Sequence, residues 1–183
     1  GTVTGVQTCA LPICSAGDLH PFLAVARAAA ERGERVVFLS AEPHRSQVEA
    51  QGVHFEAILS THDHLRCLQH PRLWHPIHGF GVLWRHCAIA SVDATVSTLE
   101  QLCARQGGPL RVLASPLVLG ARLAADVLPL QLTTGHTAPL ALRSLADPMF
   151  VGTHLVPKSL PSVLRRGLWA ALDGLKQIGR AHV

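Results

Sequence analysis

The sequence predicts an α/β domain built on a Rossmann-like, mainly parallel sheet flanked by helices. Three observations carry this. Short apolar, β-branched runs alternate with stretches whose apolar residues repeat at helical spacing, the rhythm of βαβ units. Glycines at Gly33 and Gly52 and the run Gly107-Gly108-Pro109 punctuate the alternation. The chain has 183 residues, enough for one domain with a sizeable core and too few for two full ones.

The elements follow in order. Ser15-Ala16-Gly17-Asp18 is a turn leading into a helix over Leu19–Arg32, where Phe22, Leu23, Val25, Ala26 and Ala29 repeat at helical spacing. Pro21 is expected in its first turn, where a missing N–H is harmless, and Gly33 stops it. Arg35–Ser40 (RVVFLS) reads as a buried parallel strand. A helix from Pro43 to Gln51 ends at Gly52, and Val53–Ile58 is the next strand. His62 to Gly79, rich in His and Pro and without a clear period, is expected to be a long loop. Gly81 to Arg105 predicts one long helix, Leu110–Ala114 a strand, Leu117–Val127 a helix and Leu130–Thr133 a strand. The chain is irregular after Gly135 until Pro161–Lys176, an amphipathic helix with Leu164, Leu168, Trp169 and Leu172 on its apolar face. There is no internal repeat.

Composition narrows the function classes. Hydrophobic residues make up 48% and charged residues 15%, which argues against disorder. No apolar run approaches the roughly 18–20 residues of a membrane span. The net charge of +4 is scattered, and no Lys/Arg block interleaves with aromatics, so a nucleic-acid partner is not indicated. Five cysteines without paired spacing predict free thiols and a reducing, cytoplasmic compartment.

Both ends read as foreign to the domain. Ile178-Gly179-Arg180-Ala181-His182-Val183 is the translation of ATC GGA AGA GCA CAC GTC, which resembles a short-read library adapter. Val3 to Ile13 (VTGVQTCALPI) resembles the complementary adapter read inward. Residues 1–14 and 178–183 are therefore expected to be adapter-derived, with Ser15 to Gln177 the genuine domain. Ala10–Ile13 is expected to fill the slot of the first strand, despite Pro12, because that central position would otherwise be empty.

A resemblance rests on three blocks. Ser15-Ala16-Gly17-Asp18-Leu19-His20-Pro21-Phe22-Leu23-Ala24-Val25-Ala26, continued by Glu31-Arg32-Gly33-Glu34-Arg35-Val36, resembles the opening of bacterial nucleotide-sugar glycosyltransferases. These are related to sterol glucosyltransferases and the UDP-glycosyltransferase superfamily, and Glu34 stands where that family usually has His. Val112 to Leu117 with Gly120 to Ala124 looks like the family's fourth strand and following helix. Pro139 to Ser144 with Asp147-Pro148 resembles its acceptor-side segment. The resemblance implies the amino-terminal, acceptor-binding half of a GT-B fold. It further implies an inverting transfer of a hexosyl group from a nucleotide-sugar donor to a hydroxyl of a small hydrophobic or lipid-like acceptor. The donor would be bound mainly by a carboxyl-terminal domain outside this chain, so the chain alone is expected to be inactive. No metal or cofactor is implied.

Asp18 then takes the position of the general base, which is His in many plant members. Read from the residues alone, Asp18 is a helix N-cap or first-turn acid, where free N–H groups and the helix dipole favour negative charge. It lies at the carboxyl edge of a parallel sheet, where open α/β sheets place ligands. The resemblance favours the catalytic role. Ser115 occupies the neighbourhood where plant members place an Asp that orients the His, so a His–Asp dyad is not supported.

The remaining candidates each carry two readings. His20 lines the acceptor mouth or simply faces solvent at the helix start. Trp74, Phe80 and Trp84 form an apolar acceptor pocket or anchor the long helix to the core. His136 and Arg143 are rim contacts of the acceptor site or ordinary surface residues. His62, His64, His70, His75, His78 and His86 match no closed zinc pattern. The helix at Pro161–Lys176, with Arg165, Arg166 and Lys176 opposite its apolar face, touches a membrane surface peripherally, lies at an ordinary surface or docks a second domain. Two other classes compete with this reading. A Rossmann oxidoreductase or epimerase needs a GxGxxG that Ser15 to Gln177 lacks, whereas a non-catalytic carbohydrate- or lipid-binding paralogue shares the fold.

Overall fold

Five short apolar runs become the strands of one sheet. The computed structural model describes residues 7–12, 16–75, 78–106, 109–137, 150–151, 154–155, 161–164 and 166–167. The order is β1 (Gln7–Leu11), α1 (Ala16–Glu31), β2 (Arg35–Ala41), a 3-10 turn (Glu42–His44), α2 (Arg45–Glu49), β3 (His54–Leu59) and α3 (Thr61–Leu68). Then come α4 (Gly79–Leu83), a π-helical segment (Trp84–Ile89), α5 (Val92–Gln106), β4 (Leu110–Ala114), α6 (Leu119–Val127) and β5 (Leu130–Thr134). The strands lie in the order β3-β2-β1-β4-β5, and every pairing is parallel. The chain divides into two compact units, Gly1–Thr137 and Ala138–Val183, and the sheet belongs to the first. In the second, β6 (Phe150–Val151) pairs antiparallel with β7 (His154–Leu155).

Alternation along each strand supplies both faces of the sheet. Cys9, Leu11, Val37 and Leu39 pack with Leu99, Leu102, Ala121 and Ala124 of α5 and α6. Ala10, Val36, Phe38 and Phe55 pack on the opposite side with Leu19, Phe22, Leu23 and Ala26 of α1 and Val48 of α2. The α1 stripe has the predicted helical spacing, and burying Phe22 alone stabilises by roughly 1.5–3 kcal/mol. Gly33 and Gly52 take positive φ values of 85° and 73°, the left-handed geometry that ends a helix without a Cβ clash.

The predicted strands are present, with shifts of a residue or two at their ends. The central slot is filled from the amino-terminal segment, as expected, but by Gln7–Leu11 rather than Ala10–Ile13. Pro12 has no N–H to give a central ladder, so the strand stops before it. Four further expectations are corrected. The first helix begins at Ala16, so Pro21 lies in the second turn and forfeits the backbone bond to Gly17. The His-rich stretch is not all loop, because Ser60 caps α3 by accepting from the Asp63 N–H at 3.1 Å. The long helix is interrupted by the π-helical segment and the turn at Ala90-Ser91. Finally, Cys87 is disulfide-bonded while Cys9, Cys67 and Cys103 are free, so the expectation of thiols throughout fails at Cys87.

Of the expected helix at Pro161–Lys176, residues 162–164 and 166–167 are helical, Pro161 is not, and residues 165 and 168–176 lie outside the described residues. Among the described residues, no helix is long and apolar enough to cross a membrane.

Candidate active site

The strand order reverses between β1 and β4, and ligands of open parallel sheets bind outside the carboxyl ends of the strands at such a switch point. The two strands are stitched there by the Ser115 N–H, which donates to the Leu11 carbonyl at 2.9 Å. Asp18 enters this edge from the first turn of α1, as its third residue. It is therefore a first-turn acid rather than the N-cap itself. Negative charge at this point still meets unpaired helix N–H groups.

Asp18 is half-buried, and its Oδ1 accepts a hydrogen bond of 2.5 Å from the Thr137 hydroxyl. The placement of Thr137 has a steric origin. The Gly135 N–H donates to the Ala114 carbonyl at 2.9 Å as the chain leaves β5. A Cβ at Gly135 would stand 2.9 Å from Phe22 Cζ, so any larger residue here would have to displace the Phe22 ring for the segment to pass so close to α1. Two residues later the Thr137 hydroxyl meets the α1 N-terminus. Thr137 was not singled out from the sequence, since no local pattern links it to Asp18. Ser115 is buried on the β4 side of the same edge.

The other candidates distribute as follows. His20 is exposed on α1, two residues beyond Asp18, and His136 is exposed beside Thr137. Trp74 is 88% exposed and Phe80 62%, so neither anchors a helix to the core. Phe80 and Trp84 form an i,i+4 pair with ring centroids 5.9 Å apart. This pair lies on the crossover from β3 to β4 and Asp18 on that from β1 to β2, both leaving carboxyl strand ends. Arg143 lies outside the described residues. Among those described, no group of three or more His, Cys, Asp or Glu is arranged to hold a metal ion.

Solved structures share this fold. The calicheamicin glycosyltransferase CalG4 superimposes with a TM-score of 0.52 at 17% identity, over 71% of this chain and 32% of its own. The glycosyltransferase of kitacinnamycin does so with a TM-score of 0.51 at 20% identity, over 94% of this chain and 35% of its own. TcCGT1, solved with UDP, gives 0.50 at 14% identity, over 74% and 28%. The fold is that of the amino-terminal domain of GT-B glycosyltransferases. The chain spans about a third of the length of these structures. No protein-family profile and no curated protein matches it in sequence. In the frame of a GT-B amino-terminal domain, Asp18 and Thr137 stand at the open edge of the sheet. The exposed aromatic pair stands on the connection that leaves β3, two strands from β1.

Proposed function

We propose that this chain is the acceptor-side part of an inverting glycosyltransferase that moves a hexosyl group from a nucleotide sugar to a hydroxyl of a small hydrophobic or lipid-like acceptor. The observation that carries this reading is the carboxylate of Asp18, held by Thr137 at the switch point of a GT-B amino-terminal fold. In the reaction, Asp18 takes the proton of the acceptor hydroxyl as that oxygen attacks the anomeric carbon. The bond from that carbon to the diphosphate breaks as the new glycosidic bond forms, and the nucleoside diphosphate departs with the electron pair. Attack from the face opposite the leaving group inverts the anomeric centre. Thr137 is a positioning residue: a hydroxyl fixed on Oδ1 restricts how the carboxylate turns. Phe80 and Trp84 offer apolar surface to the body of the acceptor, with Trp74, His20, His136 and Arg143 as further contacts.

The same reading places the donor diphosphate in a carboxyl-terminal domain outside these 183 residues and takes residues 1–14 and 178–183 as adapter-derived. The test has two parts. Calorimetry on this chain is expected to find no tight, saturable binding of UDP- or TDP-sugars. The continuous parent enzyme, given a panel of such donors and hydroxylated acceptors, is expected to release nucleoside diphosphate and form a product of inverted anomeric configuration by NMR. Tight donor binding to this chain, or a parent that retains configuration, overturns the reading.

A further inference from the structure

A second polar cluster lies apart from Asp18, where the chain passes from α3 into α4 and the π-helical segment. A cleft of about 220 Å³ opens there. Its titratable and charged lining consists of His70 and Arg72 from the turn after α3, His78 at the start of α4, and Arg85 and His86 from the π-helical segment. No carboxylate is among the described residues lining it. Five basic side chains thus meet around a space large enough for a small anion.

Local geometry holds the two walls together. Gly79 is buried, and a Cβ there would stand 2.1 Å from the Leu73 carbonyl oxygen, so only glycine lets the turn close on the start of α4. That closure brings the His70 and His86 rings to 5.7 Å between centroids. The Arg72 N–H donates to His70 Nδ1 at 3.1 Å. Burial holds His86 below the usual imidazole range, and the positive charge of Arg66, His70 and Arg85 adds to this. Asp63 opposes them. The balance around His86 is an excess of positive charge.

We propose that this cleft binds a phosphate group, carried by a soluble phosphomonoester or by an anionic lipid headgroup. The argument is one of donor number and shape. Two guanidinium groups and the imidazoles supply more hydrogen-bond donors than the two oxygens of a carboxylate engage, and a phosphate presents three terminal oxygens. A bound phosphate also relieves the crowding of positive charge around His86. Affinity therefore rises as His86 takes up its proton, up to the pH at which the phosphate itself turns from dianion to monoanion. The proposal is independent of sugar transfer and of Asp18.

The experiment titrates inorganic phosphate, then glycerol 3-phosphate, into the 183-residue protein by calorimetry at low salt and at about pH 6.5, near the imidazole midpoint. Imidazole C2–H resonances are followed in parallel. One site is expected, with the His86 midpoint moved upward in the bound state and affinity falling as salt is added. The double variant Arg72→Gln/Arg85→Gln, whose side chains are exposed, is expected to bind at least about tenfold more weakly at an unchanged melting temperature. The single variant His86→Gln is expected to flatten the pH dependence. Sedimentation with phosphatidylcholine vesicles, with and without phosphatidic acid, separates the sources. Capture that the double variant loses assigns the phosphate to a lipid, and soluble binding without capture assigns it to a phosphomonoester. No saturable binding in either arm, or a double variant that binds within twofold of the parent, overturns the proposal.

Discussion

The Thr137 hydroxyl donates to Asp18 Oδ1 at 2.5 Å although the two residues are 119 positions apart. This bond ties the end of β5 to the start of α1 across the open edge of the sheet. It also makes the two residues separable by mutation. In the continuous transferase, Asp18→Asn keeps the shape of the side chain but cannot take a proton, and kcat is expected to fall by about 10²–10⁴-fold. Stability should change little, whereas Asp18→Ala loses the first-turn interactions as well and should cost about 1 kcal/mol. Thr137→Val should cost about 0.5–1.5 kcal/mol in stability and lower kcat less than Asp18→Asn, with Thr137→Ser restoring both. Turnover and melting temperature measured on the same samples decide it. An Asn variant within a few-fold of the parent reduces Asp18 to a helix-start residue.

Phe80 and Trp84 are paired but exposed, so the prediction for them is a split between stability and affinity. Phe80→Ala and Trp84→Ala should each change stability by no more than about 0.5 kcal/mol, as surface substitutions do. Both should raise KM for hydrophobic acceptors with a smaller effect on kcat. Steady-state kinetics against a hydrophobic and a hydrophilic acceptor checks this, and equal effects on both would remove the pair from the acceptor site.

Gly120 sits where α6 crosses α5. A Cβ there would stand 2.6 Å from Thr95 Cβ and 2.8 Å from the Val92 carbonyl oxygen, and neither is the movable end of a side chain. Gly120→Ala is therefore expected to destabilise by about 1–3 kcal/mol, although alanine is the better helix former. Urea denaturation gives the value, and a neutral result would show that the two helices part without penalty.

Mild acid should weaken the fold through the pair His44 and His64. Their rings meet edge to face at 5.2 Å, and Ser40 Oγ lies 3.0 Å from His44 Nδ1. His64 is 5% exposed, and its Nδ1 has no hydrogen-bond partner. Burial lowers the pKa of both, and His64 lowers that of His44 further. The unfolded chain therefore binds protons more readily than the folded one. Their neutral burial is fully tolerated above the ordinary imidazole value of about 6.5, and stability falls as pH drops below it. Urea midpoints at about pH 7.5 and pH 5.5 should show the loss. His64→Leu should flatten the slope, and a slope unchanged in that variant would place the sensitivity elsewhere.

Much of the fold was legible because its signals are local. β2, with Val36 to Leu39 buried on both faces, could hardly read as anything but a central strand, and Gly33 and Gly52 mark the helix ends by backbone geometry. α3 was obscured by its histidines, although Ser60 and Asp63 carry a capping signal three residues apart. The π-helical break inside the long helix leaves no trace in apolar periodicity, because its buried Cys87 and Ala88 lie where a regular helix would also put apolar side chains. At the site, Asp18 was visible as an acid at a glycine-containing turn, whereas Thr137 was not. Its role arises only from the order of strands in space, to which a window of sequence is blind.

That order has a consequence for synthesis. Within this chain β1, drawn from the segment proposed to be adapter-derived, precedes the other four strands yet lies in the middle, with Thr8 opposite Val36 on one side and Arg111 on the other. As the chain leaves the ribosome, β1, β2 and β3 can assemble with α1 and α2 while β4 is still unmade. For that interval one side of β1 is a bare row of backbone donors and acceptors, open to any passing strand. Closing it requires a contact across roughly a hundred residues, the kind of long-range pairing that slows folding. The seam between β1 and β4, where the proposed chemistry sits, is thus also where a nascent chain is most exposed to a wrong partner.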